Sequence, residues 1–250
     1  MRARSGRIAA AAGAVLLAGA VIGGVGYTVV SVRDADRKPG APTWEFPAAA
    51  DRGDEKKSEQ SASGLSALFL PFGTDGYKRG PDLAEFGTDE EFSGAQATAL
   101  SKESVRDLPR ATRRNVEKLI DKQRIQGMAL RSYVVGRADY NTTDAITFDV
   151  TLTRLADRAA VRRMATSYNE FLNATDVFRK GPSIEGHKSA RCFLTPKGED
   201  QELGSAFCTT SVGDILVNVT VDGPGPLDAT FVSKLFAAQL NRIDDPGQAV

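Results

Sequence analysis

The sequence predicts an α+β fold: a mostly antiparallel sheet of about five strands with two helices on one face, preceded by an N-terminal transmembrane helix, a disordered tether and one extra helix. Residues 146–152 and 215–221 alternate apolar and polar side chains with the period of two that marks a half-buried strand. The stretches after Asp157 and Asp228 show the 3.6-residue period of amphipathic helices. Short connections between the strands favour antiparallel pairing.

The composition excludes several classes of protein. The 250 residues carry 32 Lys and Arg against 32 Asp and Glu, so the net charge is zero. A nucleic-acid-binding chain is normally basic, and we expect no nucleic-acid partner. A hydrophobic content of 41% is that of a folded protein. Two Cys and one His are too few for a Cys/His-rich zinc site, and no cofactor or metal motif occurs, so we expect neither.

The N-terminus predicts a membrane anchor. Arg2, Arg4 and Arg7 precede an uncharged run over residues 8–32. As a helix this run spans about 37 Å, enough for the apolar core of a bilayer. The positive-inside rule then places the N-terminus in the cytoplasm and the remaining chain outside. A secreted protein, cleaved near Ala20 after a signal peptide, is the alternative.

Within this run, Gly19 and Gly23 form a GxxxG spacing that lets two membrane helices approach closely. A segment with five Gly and seven Ala also gives such spacings by chance. A homodimer is therefore compatible with the sequence but not supported by it.

Four segments follow from the shifts in composition. They are a cytoplasmic stub with the anchor or signal peptide (1–32), a disordered tether (33–64), an extended arm with a basic helix (65–127), and an α+β extracytoplasmic domain (128–245). The tether contains no Ile, Leu, Val or Met and thirteen charged residues, so it lacks the apolar surface needed to fold. Residues 65–106 show no clear periodicity, and we expect them to lie over the domain, held by Phe86 and Phe92.

The basic helix of segment 65–127 carries the first candidate site. Asp107 is its expected cap and Gly127 its expected end. Four bases at a spacing of four residues share one face of it, namely Arg110, Arg114, Lys118 and Lys122. Two interpretations stand. Either the five acids of 82–91 fold back and neutralise the helix, or the bases form a ridge for an anionic lipid or a cell-wall polymer.

The α+β domain of residues 128–245 has the predicted order ββα and then βββα. Cys192 and Cys208 lie in two predicted strands around the loop 196–204, at equal distances from residue 200. Cysteines facing each other across a hairpin meet disulfide geometry, and an extracytoplasmic compartment is oxidising. We therefore expect a Cys192–Cys208 disulfide. His187, the only histidine, has no nucleophile motif beside it, so no catalytic residue is assigned.

An Arg-rich start, an Ala/Gly-rich anchor, a disordered tether and one α+β domain with a disulfide together resemble actinobacterial exported proteins. The strand 146–152, the helix after Asp157, the Cys192–Cys208 hairpin and the helix after Asp228 resemble the sensor domains of actinobacterial receptor kinases and related small lipoproteins. This chain differs from the kinases because no kinase domain precedes the anchor, and from the lipoproteins because Ala20 stands where the lipidated Cys would be. No functional residue is carried over from the resemblance.

Together these features predict a membrane-tethered extracytoplasmic binding or sensor-like module that is not an enzyme. Its partners would be the membrane, through residues 8–32, an anionic lipid or cell-wall polymer, and a protein that the sequence does not identify. A cell-envelope hydrolase using carboxylates that we do not identify, or a structural protein of envelope assembly, are the alternatives.

Overall fold

The computed structural model describes residues 64–136, 145–196 and 203–246. Strands in these ranges are β1 (Lys78–Arg79), β2 (Asp89–Ser93), β3 (Ile125–Val135), β4 (Ile146–Leu155), β5 (Arg179–Lys180), β6 (Arg191–Leu194), β7 (Leu203–Val212) and β8 (Ile215–Pro224). The α-helices are α1 (Gly94–Glu103), α2 (Arg110–Gln123), α3 (Arg158–Ala174) and α4 (Ala229–Asp244).

The strands form one antiparallel sheet in the order β1-β3-β4-β8-β7-β6-β5, with β2 also paired to β3. The prediction of an α+β fold with a mostly antiparallel sheet is confirmed. The described residues hold eight strands, where the sequence indicated about five. The additional strands β1, β2 and β5 have two, five and two residues, too few to display a reliable alternation.

Helices cover both faces of the sheet, so the expectation of two helices on one face was wrong. The first core contains Val217 of β8 together with the buried side of α4. The second contains the adjacent Leu216 together with Val161 of α3 and parts of α1 and α2. Because successive residues of a strand point to opposite faces, α3 and α4 pack on opposite sides. The helical period shows that a helix buries one side, but not which face of a sheet receives it.

The segment before α2 is part of the folded structure. Its anchors in the first core are Leu65, Phe69, Leu70 and Tyr77, each at most 7% exposed. Phe86 and Phe92, which we expected to hold this segment, contact each other edge to face at 5.2 Å between ring centroids and remain half-buried. The segment also supplies β1, β2 and α1, so it has more regular structure than the extended arm that we expected.

The bounds of helix α2 differ from both predicted positions, because neither Asp107 caps its start nor Gly127 its end. Asp157 and Asp228 cap α3 and α4 as expected, each accepting a hydrogen bond from a backbone N–H two residues on, at 2.8 Å. Helix α2 begins after Pro109, which makes no side-chain capping bond, and its last residue, Gln123, is followed by Arg124 with a left-handed φ of 51°. Gly127, the expected end, instead lies within β3, paired with both neighbouring strands. Pairing in the sheet thus overrides the local helix-ending preference of glycine.

No helix of the ranges given above is long and apolar enough to cross a membrane. The predicted anchor at 8–32 lies outside the described residues, and so does the predicted tether except for Gly64. The expected turn around residues 139–141 and most of the loop 196–204 are outside them too.

Candidate functional site

Helix α2 presents its bases to solvent. Val116 and Ile120 are buried in the second core, which fixes the orientation of the helix. Its remaining surface carries a row of four exposed cations: Arg110, Arg114, Lys118 and Lys122. We call this row the cationic ridge. At about 1.5 Å per residue it extends roughly 18 Å along the helix.

The neighbouring bases are paired, whereas the ridge is not. The pairs are Lys102–Asp121 at 2.6 Å, Arg113–Glu117 at 3.7 Å, and Arg106 with Glu103 and Asp107. In the described ranges no acidic side chain lies within ion-pair distance of any of the four ridge residues. Local acids therefore neutralise the flanks of the helix and leave its outer face positive.

The acids of residues 82–91 form no ion pair with the ridge in the described ranges, so the first of the two interpretations is not seen as direct pairing. Asp89 instead forms a two-pronged ion pair with Arg131 of β3, at 2.9 and 2.7 Å. Glu91 accepts hydrogen bonds from the backbone N–H groups of Leu65 and Ser66 and from the Ser66 hydroxyl. Both acids thus hold the N-terminal segment of the fold in place.

The environment of Glu91 favours its charged form. Burial by itself would raise the pKa of Glu91, but the hydrogen bonds from Ser66 and Leu65, with a smaller contribution from the Arg154 charge, together lower it below its usual value. A carboxylate with a lowered pKa stabilises the folded state above the ordinary pKa of Glu, and this contribution is lost as the pH falls through the lowered value.

The predicted disulfide is present. Cys192 of β6 and Cys208 of β7 are directly paired across the two strands and bonded to each other, with 4.0 Å between their Cα atoms. Both are buried in the first core, at 4% and 1% exposed. This position assigns the cysteine pair a structural role, because a reactive disulfide is normally accessible to an attacking thiolate.

His187 forms polar contacts that connect two parts of the fold. Its Nε2 lies 2.9 Å from Asn241 Oδ1 of α4, and its Nδ1 lies 3.8 Å from Asp244 Oδ2. These contacts fasten the loop before β6 to the end of α4. No serine hydroxyl is among the partners of this imidazole in the described structure, so the geometry of a catalytic triad is not formed there.

A second polar feature, which the sequence reasoning did not identify as a site, lies on the sheet face that carries α3. Strands β4 and β8 pair there through three polar cross-strand pairs: Thr147 with Asp222, Asp149 with Thr220, and Thr151 with Asn218. We call these six residues the polar floor. Asp222 is exposed and the other five are half-buried. The period-two alternation marked these positions as solvent-facing, but the strand order that brings them together was not predictable.

Three buried polar atoms on β3, β4 and α3 lack a hydrogen-bond partner within the described ranges. Asp149 Oδ1, Ser132 Oγ and Asn169 Oδ1 are buried and make no hydrogen bond of good geometry with the described residues. The Ser132 hydroxyl nevertheless lies close enough to the Asp149 carboxyl to interact with it. Ser132 is the direct cross-strand partner of Asp149 on β3, and Asn169 belongs to α3. Buried polar groups are nearly always satisfied by protein, water or a ligand.

The surroundings of the Asp149 carboxyl disfavour its charged form. Burial raises the pKa of Asp149, the adjacent Ser132 hydroxyl opposes this in part, and the Asp222 charge raises it further. The effect of ionisation on the stability of the fold is therefore opposite to that of Glu91. Ionisation of Asp149 destabilises the fold as the pH rises above the ordinary pKa of Asp.

We therefore expect Asp149→Asn to stabilise the protein at pH 7, by about 0.5–1 kcal/mol. The gain should disappear at about pH 3, below the ordinary pKa of Asp, because the carboxyl is then protonated in both folded and unfolded states. Thermal unfolding at the two pH values measures this. Asp82→Asn is the matched control, since Asp82 is an exposed aspartate between β1 and β2, and it should change stability little at either pH value. An equal destabilisation by Asp149→Asn at both pH values would contradict the expectation.

Comparison with known proteins assigns no function, so the function is argued from the geometry of the described residues. No protein-family model matches the sequence, and no curated protein matches it. The resemblance to actinobacterial sensor domains stays a prediction. The proposed function is argued from the cationic ridge.

Proposed function

We propose that this chain is a membrane-tethered, extracytoplasmic binding module without catalytic activity, which engages an anionic component of the cell envelope through the cationic ridge. One observation carries the proposal. The four ridge cations are exposed and have no acidic partner among the described residues, while the bases beside them are paired. Repulsion between like charges four residues apart weakens a helix, and a bound polyanion would remove that repulsion.

The strength of such a contact fits a tethered protein. A Lys or Arg near an anionic lipid surface contributes about 1 kcal/mol, so four contribute about 4 kcal/mol. This corresponds to a dissociation constant of about 1 mM. Free in solution the domain would bind weakly. The tether predicted for residues 33–64 would, as a coil with a reach of about 30 Å, supply an effective concentration in the millimolar range.

Charge reversal tests the proposal on the full chain in detergent, with inorganic polyphosphate as a soluble probe. We expect Arg114→Glu with Lys118→Glu to weaken binding at least about tenfold, because two attractions become repulsions. Added salt should weaken binding by the wild type, since exposed charges are screened. Arg158→Glu with Arg162→Glu on α3 is the matched control, having the same spacing and exposure. Equal loss in both double variants would show a general effect of net charge and refute the ridge.

A second measurement separates lipid from polymer. In the full chain reconstituted into nanodiscs, the acetylation rates of Lys118 and Lys122 report their accessibility. Slower acetylation in anionic than in zwitterionic nanodiscs identifies a lipid surface as the ligand. Equal rates, together with binding of polyphosphate, identify a polymer. The alternatives of a hydrolase or a structural envelope protein predict no dependence on the ridge in either measurement.

A further inference from the structure

The first described residues of the fold lie beside the C-terminal end of the helix that carries the cationic ridge. Glu91 fixes their position by accepting a hydrogen bond from the backbone N–H of Leu65 at 3.1 Å. Leu65 Cδ1 lies 3.6 Å from the position that a side-chain carbon at Gly127 would take. Gly127 follows Gln123, the last residue of α2, by four residues, which is at most about 14 Å of extended chain. The tether predicted for residues 33–64 therefore joins the fold close to this end of α2.

The end of α2 nearest this junction is positively charged. Lys118 and Lys122 of the ridge lie in its last two turns, and Arg124 follows the helix directly, all three exposed. The acid among them, Asp121, already pairs with Lys102 of α1 at 2.6 Å. A tether anchored in a bilayer would therefore hold these cations near the lipid headgroups.

An exposed leucine adjoins the ridge on the same helix. Leu119 is 38% exposed and precedes Lys122 by three residues, so the two side chains are neighbours on the surface of α2. Cations beside a large apolar side chain are typical of helices that lie in the membrane interface, where the apolar group enters the boundary between headgroups and acyl chains. A hydrophilic polyanion offers such a side chain no apolar environment. The leucine therefore favours lipid over polymer as the ligand of the ridge.

We propose that the cationic ridge and Leu119 bind the anionic lipid surface of the membrane in which the chain is anchored. This inference rests on the proposed function and names the ligand of the same site. The ridge is about 18 Å long and the tether, as a coil, reaches about 30 Å, so the ridge can lie on that bilayer. In the bound state α2 lies along the membrane surface, its Lys and Arg side chains contact lipid phosphates, and Leu119 enters the interface.

Tryptophan fluorescence of the full chain, reconstituted into vesicles, tests this contact. Trp44 is the only tryptophan of the sequence, so Trp44→Phe with Leu119→Trp carries a single reporter beside the ridge. All vesicles contain the same amount of bromine-labelled phosphatidylcholine, which quenches a tryptophan that enters the lipid. The remaining lipid is either phosphatidylcholine or phosphatidylglycerol. We expect quenching to be at least about twofold stronger with phosphatidylglycerol, because it attracts the ridge cations, and added salt should remove the difference.

Leu203→Trp, again with Trp44→Phe, is the matched control. Leu203 is 75% exposed and pairs with Pro224 at the end of β8. Leu216, which belongs to the same core as α2, lies eight residues away on that strand, roughly 26 Å. A membrane bound to the ridge would not reach this reporter, so we expect its emission to be the same in both kinds of vesicle.

The outcomes distinguish the lipid from the ridge itself. Loss of the phosphatidylglycerol effect when Arg114→Glu and Lys118→Glu are added to the ridge reporter supports the proposal, and an unchanged effect overturns it. Equal quenching of the two reporters also overturns it, because the domain would then adsorb without a preferred side. If the ridge binds polyphosphate but its reporter shows no phosphatidylglycerol effect, the lipid inference fails while the proposed function stands. Failure of both measurements refutes the proposed function as well. Thermal unfolding confirms that each variant is folded.

Discussion

Phe69→Ala is expected to lower the free energy of unfolding by about 3–5 kcal/mol, the range for removing a fully buried aromatic ring. Phe69 is 1% exposed and lies in the first core. The Arg131 guanidinium stacks over its ring, with Cζ 4.7 Å from the centroid, while pairing with Asp89. Removing the ring creates a cavity and also withdraws the surface on which this ion pair rests. Chemical denaturation of the full chain measures the loss.

Phe86→Ala is the matched control for this prediction, because it removes the same ring from the same segment. Phe86 is only half-buried, and its ring contact is with Phe92. We expect it to cost less than about 1.5 kcal/mol. The opposite ranking would mean that the segment is held as the sequence indicated, through Phe86 and Phe92.

The N-terminal segment shows why its role was hard to predict. Buried residues there follow neither the period of a strand nor that of a helix, because the chain turns repeatedly between them. It is fixed by long-range hydrogen bonds: Gln239 of α4 bonds Leu70 N–H and the Leu68 carbonyl, and the Tyr133 hydroxyl donates to the Leu70 carbonyl at 2.7 Å. Contacts between residues 169 positions apart leave no local pattern in the sequence.

The strands and helices with a clear period were predictable, whereas the layers were not. Alternation in β4 and β8 correctly identified the buried residues Phe148 and Val217. Leu216 stands at an outward position of β8, and it was the available sign that part of the other face is also buried. A single residue that breaks the alternation does not reveal which helix covers it. The second core depends on that tertiary choice.

The cationic ridge was predictable from the sequence, whereas the polar floor was not. Local spacing on one helix places the ridge residues together, so the sequence alone predicts the row. The polar floor joins β4 to β8, which are separated by sixty residues and become neighbours only through the order of the sheet. Each strand on its own showed only a solvent-facing row, and the orphaned Asp149 oxygen depends on the three-dimensional surroundings.

The double variant Cys192→Ala with Cys208→Ala is expected to lose about 3 kcal/mol of stability. The bond closes a loop of about fifteen residues, and its removal restores that conformational freedom to the unfolded chain. Strand β6 has only four residues and connects the short β5 to the sheet, so the disulfide holds the weakest edge. Urea denaturation measures the loss, and hydrogen exchange should show the largest increase in β6.

Loss of the cross-link and loss of side-chain packing are separable, because reduction breaks the bond but keeps both sulfur atoms. We compare oxidised wild type, wild type reduced during denaturation, and the double variant. If the cross-link dominates, reduced wild type unfolds close to the double variant and well below the oxidised protein. If reduced and oxidised wild type unfold at the same free energy, the loop-closure account is wrong. Any remaining deficit of the variant then measures the packing of two buried sulfurs against Gly181 and Val219, which adjoin Cys192 and Cys208.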